Sequence, residues 1–107
     1  MANRPARMSP QARAWLLAEI KYLADRNPSA AAAVVERMRA ARQTLGDYPR
    51  IGVAGLISGT RRLVVGPYVL AVRQRDDIVE IAAIRHARQS DAYAPPEATK
   101  DEQDDAQ

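Results

Sequence analysis

The chain of 107 residues holds no cysteine and a single histidine, His86. Without cysteine there is no disulfide scaffold, no thiolate zinc site and no cysteine nucleophile. With one histidine, a metal site would have to be built almost wholly from carboxylates, and no cluster of them has ligand spacing. No metal or other cofactor is therefore expected. No apolar run approaches the ~20 residues of a membrane helix. The stretch Met1 to Met8 is basic but no apolar run follows it, as a secretory signal would require. The expected location is the cytoplasm, with no membrane partner. Lysine is scarce, so the basic residues are almost all arginine. Nor is there a P-loop: Gly55-Leu56-Ile57-Ser58-Gly59 lacks the Lys-Ser/Thr ending and reads as a flexible connection. A lone histidine without a nucleophile elbow leaves no persuasive Ser/His/Asp order.

What is present fits one small domain, with 47% hydrophobic and 27% charged residues and a net charge of +3. The charge is unevenly placed. Residues 1–93 carry fifteen basic against eight acidic residues, and residues 94–107 carry one against five. The expected organisation is a basic domain over residues 1–93 and an acidic, disordered tail over 94–107 whose charge lets it lie back on the body. A basic body calls for an anionic partner, nucleic acid or an acidic protein segment; the plainer reading is a solvated arginine-rich surface.

Ser9-Pro10 opens a helix, Ser as N-cap and Pro where its missing N–H costs nothing. Ala12, Leu16, Ile20 and Leu23 make its apolar face. Asn27-Pro28 ends it and starts a second helix that runs to about Leu45 with Ala31, Val34, Val35, Met38, Ala41 and Leu45 on one face. Gly46 suits a C-terminal cap and Pro49 prevents resumption. So short a link predicts an antiparallel helical hairpin, packed closely through the alanines at 30–33. Strands follow over Arg61–Val65, Tyr68–Arg75 and Ile78–Arg85, separated by the turns Gly66-Pro67 and Asp76-Asp77. A strand before Ser9 is possible, and Pro5 would confine it to an edge. Alternation sets Tyr68, Leu70 and Val72 against Val69, Ala71 and Arg73, and Val79, Ile81 and Ala83 against Ile78, Glu80 and Ala82. The fold class is α+β, a helical hairpin on a curved antiparallel sheet of three to four strands.

Ordered segments then match a known family. They are Ser9-Pro10-Gln11-Ala12, Ala24-Asp25-Arg26-Asn27-Pro28, Leu45-Gly46-Asp47-Tyr48-Pro49, Gly59-Thr60-Arg61-Arg62-Leu63-Val64-Val65, Gly66-Pro67-Tyr68-Val69-Leu70, Asp77-Ile78-Val79-Glu80-Ile81, Ile84-Arg85-His86 and Arg88-Gln89. In type, order and spacing, residues 8 to 90 resemble the RelE/ParE toxin superfamily, in its ParE-like plasmid-stabilisation branch. The resemblance implies a toxin of a type II toxin–antitoxin system, neutralised by a cognate antitoxin, usually ParD-like with a ribbon-helix-helix fold, in a hetero-oligomeric complex. ParE-like toxins are associated with DNA gyrase, which they trap on broken DNA; RelE-like relatives cleave messenger RNA on the ribosome. The chain departs from the family pattern at Arg62, commonly Glu, at Val72, commonly Tyr, and at Trp15, often acidic.

A metal-free ribonuclease needs a base, cationic groups and an acid within hydrogen-bond reach of one phosphodiester. If the chain is a nuclease, Arg61, Arg73 and His86 are the catalytic set. No lysine lies in the sheet and no tyrosine follows His86 closely, although Tyr93 sits roughly where some nucleases carry one. The balance leans toward a non-enzymatic toxin that poisons gyrase by binding; the alternatives are a RelE-like endonuclease and a degenerate toxin that retains only antitoxin binding. Target contact is expected at Arg61 and along the segment Arg85 to Ala92, through Arg85, His86 and Arg88. Antitoxin contact is expected at Trp15, Arg62 and Arg73, across the groove between hairpin and sheet. Each has a plainer reading: Arg61 pairs with Glu80 or Asp77, His86 is a hydrogen-bonded structural residue, Arg85 and Arg88 are solvated, Trp15 packs on the core, and Tyr48 and Tyr68 sit at the core margin with hydroxyls in solvent.

Overall fold

Ser9 decides where the first helix begins. Its side chain accepts the Ala12 N–H at 3.0 Å, and its hydroxyl donates to the Ala82 carbonyl at 2.7 Å. A single capping residue thus starts helix α1 (Pro10–Ala24) and moors it to the far end of the chain. The computed structural model describes residues 4–88; the expected tail over 94–107, Tyr93 and residues 89–92 lie outside them. Asn27 caps α2 (Pro28–Asp47) by accepting the Ala30 N–H at 3.1 Å.

Five strands form one sheet: β1 (Arg7–Met8), β2 (Val53–Ala54), β3 (Thr60–Val65), β4 (Tyr68–Arg75) and β5 (Ile78–His86), in the order β1-β5-β4-β3-β2. β2 to β5 are antiparallel neighbours, and β1 pairs with β5 in parallel. The expected hairpin on a sheet is there, with five strands rather than three to four. The two extra strands have two residues each, too short to leave an alternating pattern. Both hairpin loops have two residues, each opening with a left-handed residue, Gly66 (φ 59°) or Asp76 (φ 57°), which suits the twist of the flanking strands.

The helices cover one face only. Leu16, Val34, Met38 and Leu45 meet Tyr68, Leu70, Val72, Val79, Ile81 and Ile84 in one buried core. Two expectations are corrected here. Ile84, not Ala83, continues the buried row of β5, because the register shifts beside Ala71/Val72: Ala71 faces Ala83 while Val72 faces Ile81, so Ala82 is an extra residue. Such a bulge exchanges the faces of everything beyond it. Val35 is half exposed, since the α2 row that meets the sheet runs through Ala31, Val34, Met38, Ala41 and Leu45.

Gly46 does not cap α2, which runs through it to Asp47. The glycine is there for space. A Cβ at 46 would collide with the Arg4 carbonyl, because residues 4–6 cross the end of α2. Ala6 donates its N–H to the Arg42 carbonyl at 2.9 Å, and Arg42 Nε donates back to the Ala6 carbonyl at 2.7 Å. The N-terminal segment is therefore a strap held by helix and sheet together.

Candidate functional site

The register divides the arginines of the sheet between its two faces. Arg61 is paired with Val72 and His86 with Tyr68, and both partners are buried on the helix-covered side. Arg73 follows Val72, so it points the other way. Arg62, opposite Ala71, and Arg85, opposite Val69, share that outer face. The hypothetical nuclease set of Arg61, Arg73 and His86 is thus not brought together. Even Arg61 and His86, on one side, are separated by four rungs and two strands, about 16 Å by standard sheet spacing.

On the outer face Arg62 and Arg85 lie diagonally across β4, with only Ala71, Ala83 and Val69 between them. Burial, and then repulsion from Arg62, pull the Arg85 guanidinium down to about 10. Arg85 donates through Nη1 to the His86 carbonyl at 3.2 Å. Arg73 is held by Glu80, Nε at 2.9 Å and Nη2 at 2.8 Å from Oε1. Arg88 is exposed just past the end of β5. Guanidinium forks on a pleated surface match phosphate or carboxylate oxygens. Among the described strand residues of this face there is no histidine or tyrosine, and its carboxylate, Glu80, is tied to Arg73.

Arg61 plays another part. Its Nη2 donates to the Gly52 carbonyl at 2.8 Å, fastening the segment before β2 to β3. It pairs with neither Glu80 nor Asp77; Glu80 belongs to Arg73. The buried Arg61 Nε has no hydrogen-bond partner among the described residues.

His86 and Trp15 come together in a second cluster, on the helix side at the end of the sheet. Glu19, one turn along α1 from Trp15, joins them. Tyr68 donates its hydroxyl to Glu19 Oε2 at 2.9 Å, and His86 Nε2 is 3.2 Å from Glu19 Oε1. Trp15 stands edge-on to Tyr68 (centroids 5.8 Å apart) and to His86 (5.3 Å). Burial, reinforced by the Glu19 carboxylate, pushes the Tyr68 hydroxyl up to about 12. Trp15, Ala18, Glu19, Tyr22 and His86 line an open cleft of about 270 Å³. Tyr68 is not at the core margin: it is 2% exposed and its hydroxyl is bound within the protein. Nor is Tyr48, which at 65% exposure stands off the core altogether.

Sequence reasoning missed Glu19 and Tyr22 altogether. A signal was there: 15, 18, 19 and 22 are spaced as one helical stripe, adjacent to the core stripe of 12, 16, 20 and 23. Two aromatics and a carboxylate on it are more than solvation requires.

A sequence model of the family described as "ParE toxin of type II toxin-antitoxin system, parDE" matches residues 6–91. The toxin candidate Y4kP of Sinorhizobium fredii is 41% identical over 70 residues, 64% of this chain and 72% of that protein. Toxin RelE2 of Caulobacter vibrioides is 34% identical over 66 residues, 62% of this chain and 75% of that protein. Among solved structures, a chain of the chromosomal ParDE TA system from P. aeruginosa superposes with a TM-score of 0.67 at 18% identity, covering 80% of this chain and 98% of that one, a likeness of fold.

Proposed function

The chain belongs to the ParE family of toxins of type II toxin–antitoxin systems, and from that premise we propose that it acts by binding its target and not by breaking a bond itself. The target is DNA gyrase, the association of ParE-like toxins that the sequence resembles. The toxin works in the cytoplasm, as a basic domain over residues 1–93 followed by an acidic tail, and is neutralised in a hetero-oligomeric complex by a ParD-like, ribbon-helix-helix antitoxin. No described helix is long and apolar enough to cross a membrane.

The observation that carries this reading is the division of the arginines between faces. Arg62, Arg73 and Arg85 share the outer face with neither of the groups, Arg61 and His86, that a ribonuclease reading would join to them. Such a surface holds an anionic partner well and has little with which to move protons. Arg85 and Arg88, at the end of β5, are assigned to the target, and Arg62 to the antitoxin, whose acidic segment would neutralise the same face.

The test is a supercoiling and cleavage assay of purified gyrase with the full chain, with and without ATP. Accumulation of cleaved DNA that Arg85→Ala and Arg88→Ala reduce is the expected result. Intact DNA, together with codon-specific cuts in ribosome-bound messenger RNA, would overturn it in favour of the endonuclease reading. Inactivity in both assays with retained antitoxin binding would leave the degenerate toxin.

A further inference from the structure

The cleft on α1 presents a carboxylate on a body that is basic in sum. Its wall holds the Glu19 carboxylate, whose side chain is 12% exposed. Both oxygens face neutral or weakly basic donors, the Tyr68 hydroxyl and His86 Nε2, and no Lys or Arg of the described residues forms an ion pair with it. Each oxygen keeps a lone pair for a further donor. Trp15, Tyr22 and His86 surround it with aromatic surface, and Ala18, small and between Trp15 and Tyr22 on the helix, leaves the floor open. A carboxylate among aromatic rings is a receptor for a flat cation: the rings attract it through their faces and the carboxylate takes its N–H groups. The same stripe already does this within the chain, where the Arg26 guanidinium carbon lies 3.7 Å from the Tyr22 ring centroid.

We propose that the cleft of Trp15, Ala18, Glu19, Tyr22 and His86 binds an arginine side chain of a partner protein. Charge selects the occupant: on a body of net positive charge, a partly buried carboxylate partnered by Tyr68 and His86, with no Lys or Arg of the described residues in an ion pair with it, favours a cation. The site goes beyond the gyrase reading and does not depend on it. It implies that whatever protein covers this end of the sheet is not acidic throughout, but places one basic residue here and acidic ones on the outer face. A partner arginine displaced from the cleft would lose the Glu19 carboxylate, so the cleft fixes alignment as well as adding affinity.

The chain's single tryptophan lies in the cleft, so its fluorescence reports occupancy directly. Acetyl-Ala-Arg-Ala-amide is titrated into the full-length protein at constant ionic strength, with the Ala-Glu-Ala peptide and adenosine monophosphate alongside. The expected result is a saturable change with the arginine peptide alone, weakened about tenfold or more in Glu19→Gln and lost in Ala18→Leu, which fills the cleft from an exposed helix position. Thermal melts identify variants that remain folded, and Glu19→Gln keeps an acceptor for the Tyr68 hydroxyl. No saturation up to about 50 mM, a range that captures even the weakest specific contacts, overturns the proposal. So does an equal response to the glutamate peptide, or a response to the nucleotide that survives Glu19→Gln. The gyrase assay is scored separately, so either reading can fail alone.

Discussion

Tyr68 is nearly inaccessible, yet it ends in a polar atom that must be satisfied. The chain answers with Glu19 from α1, so one hydrogen bond ties the sheet to the helix and shapes the α1 cleft. Tyr68→Phe should cost about 2 kcal/mol, the scale of a hydrogen bond to a charged group. The pH dependence gives it a signature. The folded Tyr68 holds its proton to about pH 12 and the unfolded one to about 10, so its contribution is complete below pH 10 and disappears as pH rises through 12. Arg85, drawn down to about 10, acts in the opposite sense: its strain is present below pH 10 and relieved above it. Comparison of wild type with Tyr68→Phe cancels the Arg85 effect. The difference in Tm between them should be largest near pH 9 and shrink toward pH 12; a constant difference would mean the hydroxyl contributes no proton linkage. Ser9→Ala, which loses a helix cap and the bond to Ala82, should cost about 1–2 kcal/mol in denaturant unfolding.

At the scale of elements, the long periodic segments were legible and the short or irregular ones were not. The two helices and three main strands follow from capping residues, apolar spacing and two-residue turns, all of them local signals. The bulge at Ala82 left no mark, because Ala82-Ala83 is a pair whose members could take either face; only the pairing with Ala71 and Val72 decides between them. β1 was legible only as a possibility, since a two-residue strand has no period. Gly46 was read as a cap because glycine usually supplies a left-handed residue, whereas here it makes room for a crossing backbone. That difference is measurable. Gly46→Ala, normally favourable within a helix by up to about 1 kcal/mol, should instead destabilise, and should expose the amides of Ala6 and Ser9 to faster hydrogen exchange. Protected amides and a higher Tm would return Gly46 to the role of an ordinary helix residue. The candidate site was half legible for the same reason. Arg62, Arg73, Arg85, His86 and Trp15 were recognised as individuals, but which face each occupies is a property of register.

The whole molecule distributes its charge so that stability and binding compete. Arg62 and Arg85 repel each other across β4, a cost that an anionic partner would remove. Arg62→Gln should therefore leave stability unchanged or raise it, by no more than about 1 kcal/mol given solvent screening. It should also blunt the extra stabilisation that sulfate gives over chloride at equal ionic strength. If sulfate raised the Tm of both proteins equally, the pair would not be an anion site.

One consequence reaches back to synthesis. β1 is made well before β5, with which it pairs, and Ser9 bonds Ala82, 73 residues further along the chain. Closing so long a loop is slow and costs entropy that only the finished contact repays. While the ribosome is still extending the chain, α1 and α2 can form and hold the strap through Arg42, but β1 and the Ser9 cap lack their partners in the sheet until β5 has emerged. The arginines of β3 and β4 then lack the third strand that arranges them. A nascent chain of this design acquires its arranged outer face only in the step in which β5 pairs. A chain that stops before β5 should never acquire it.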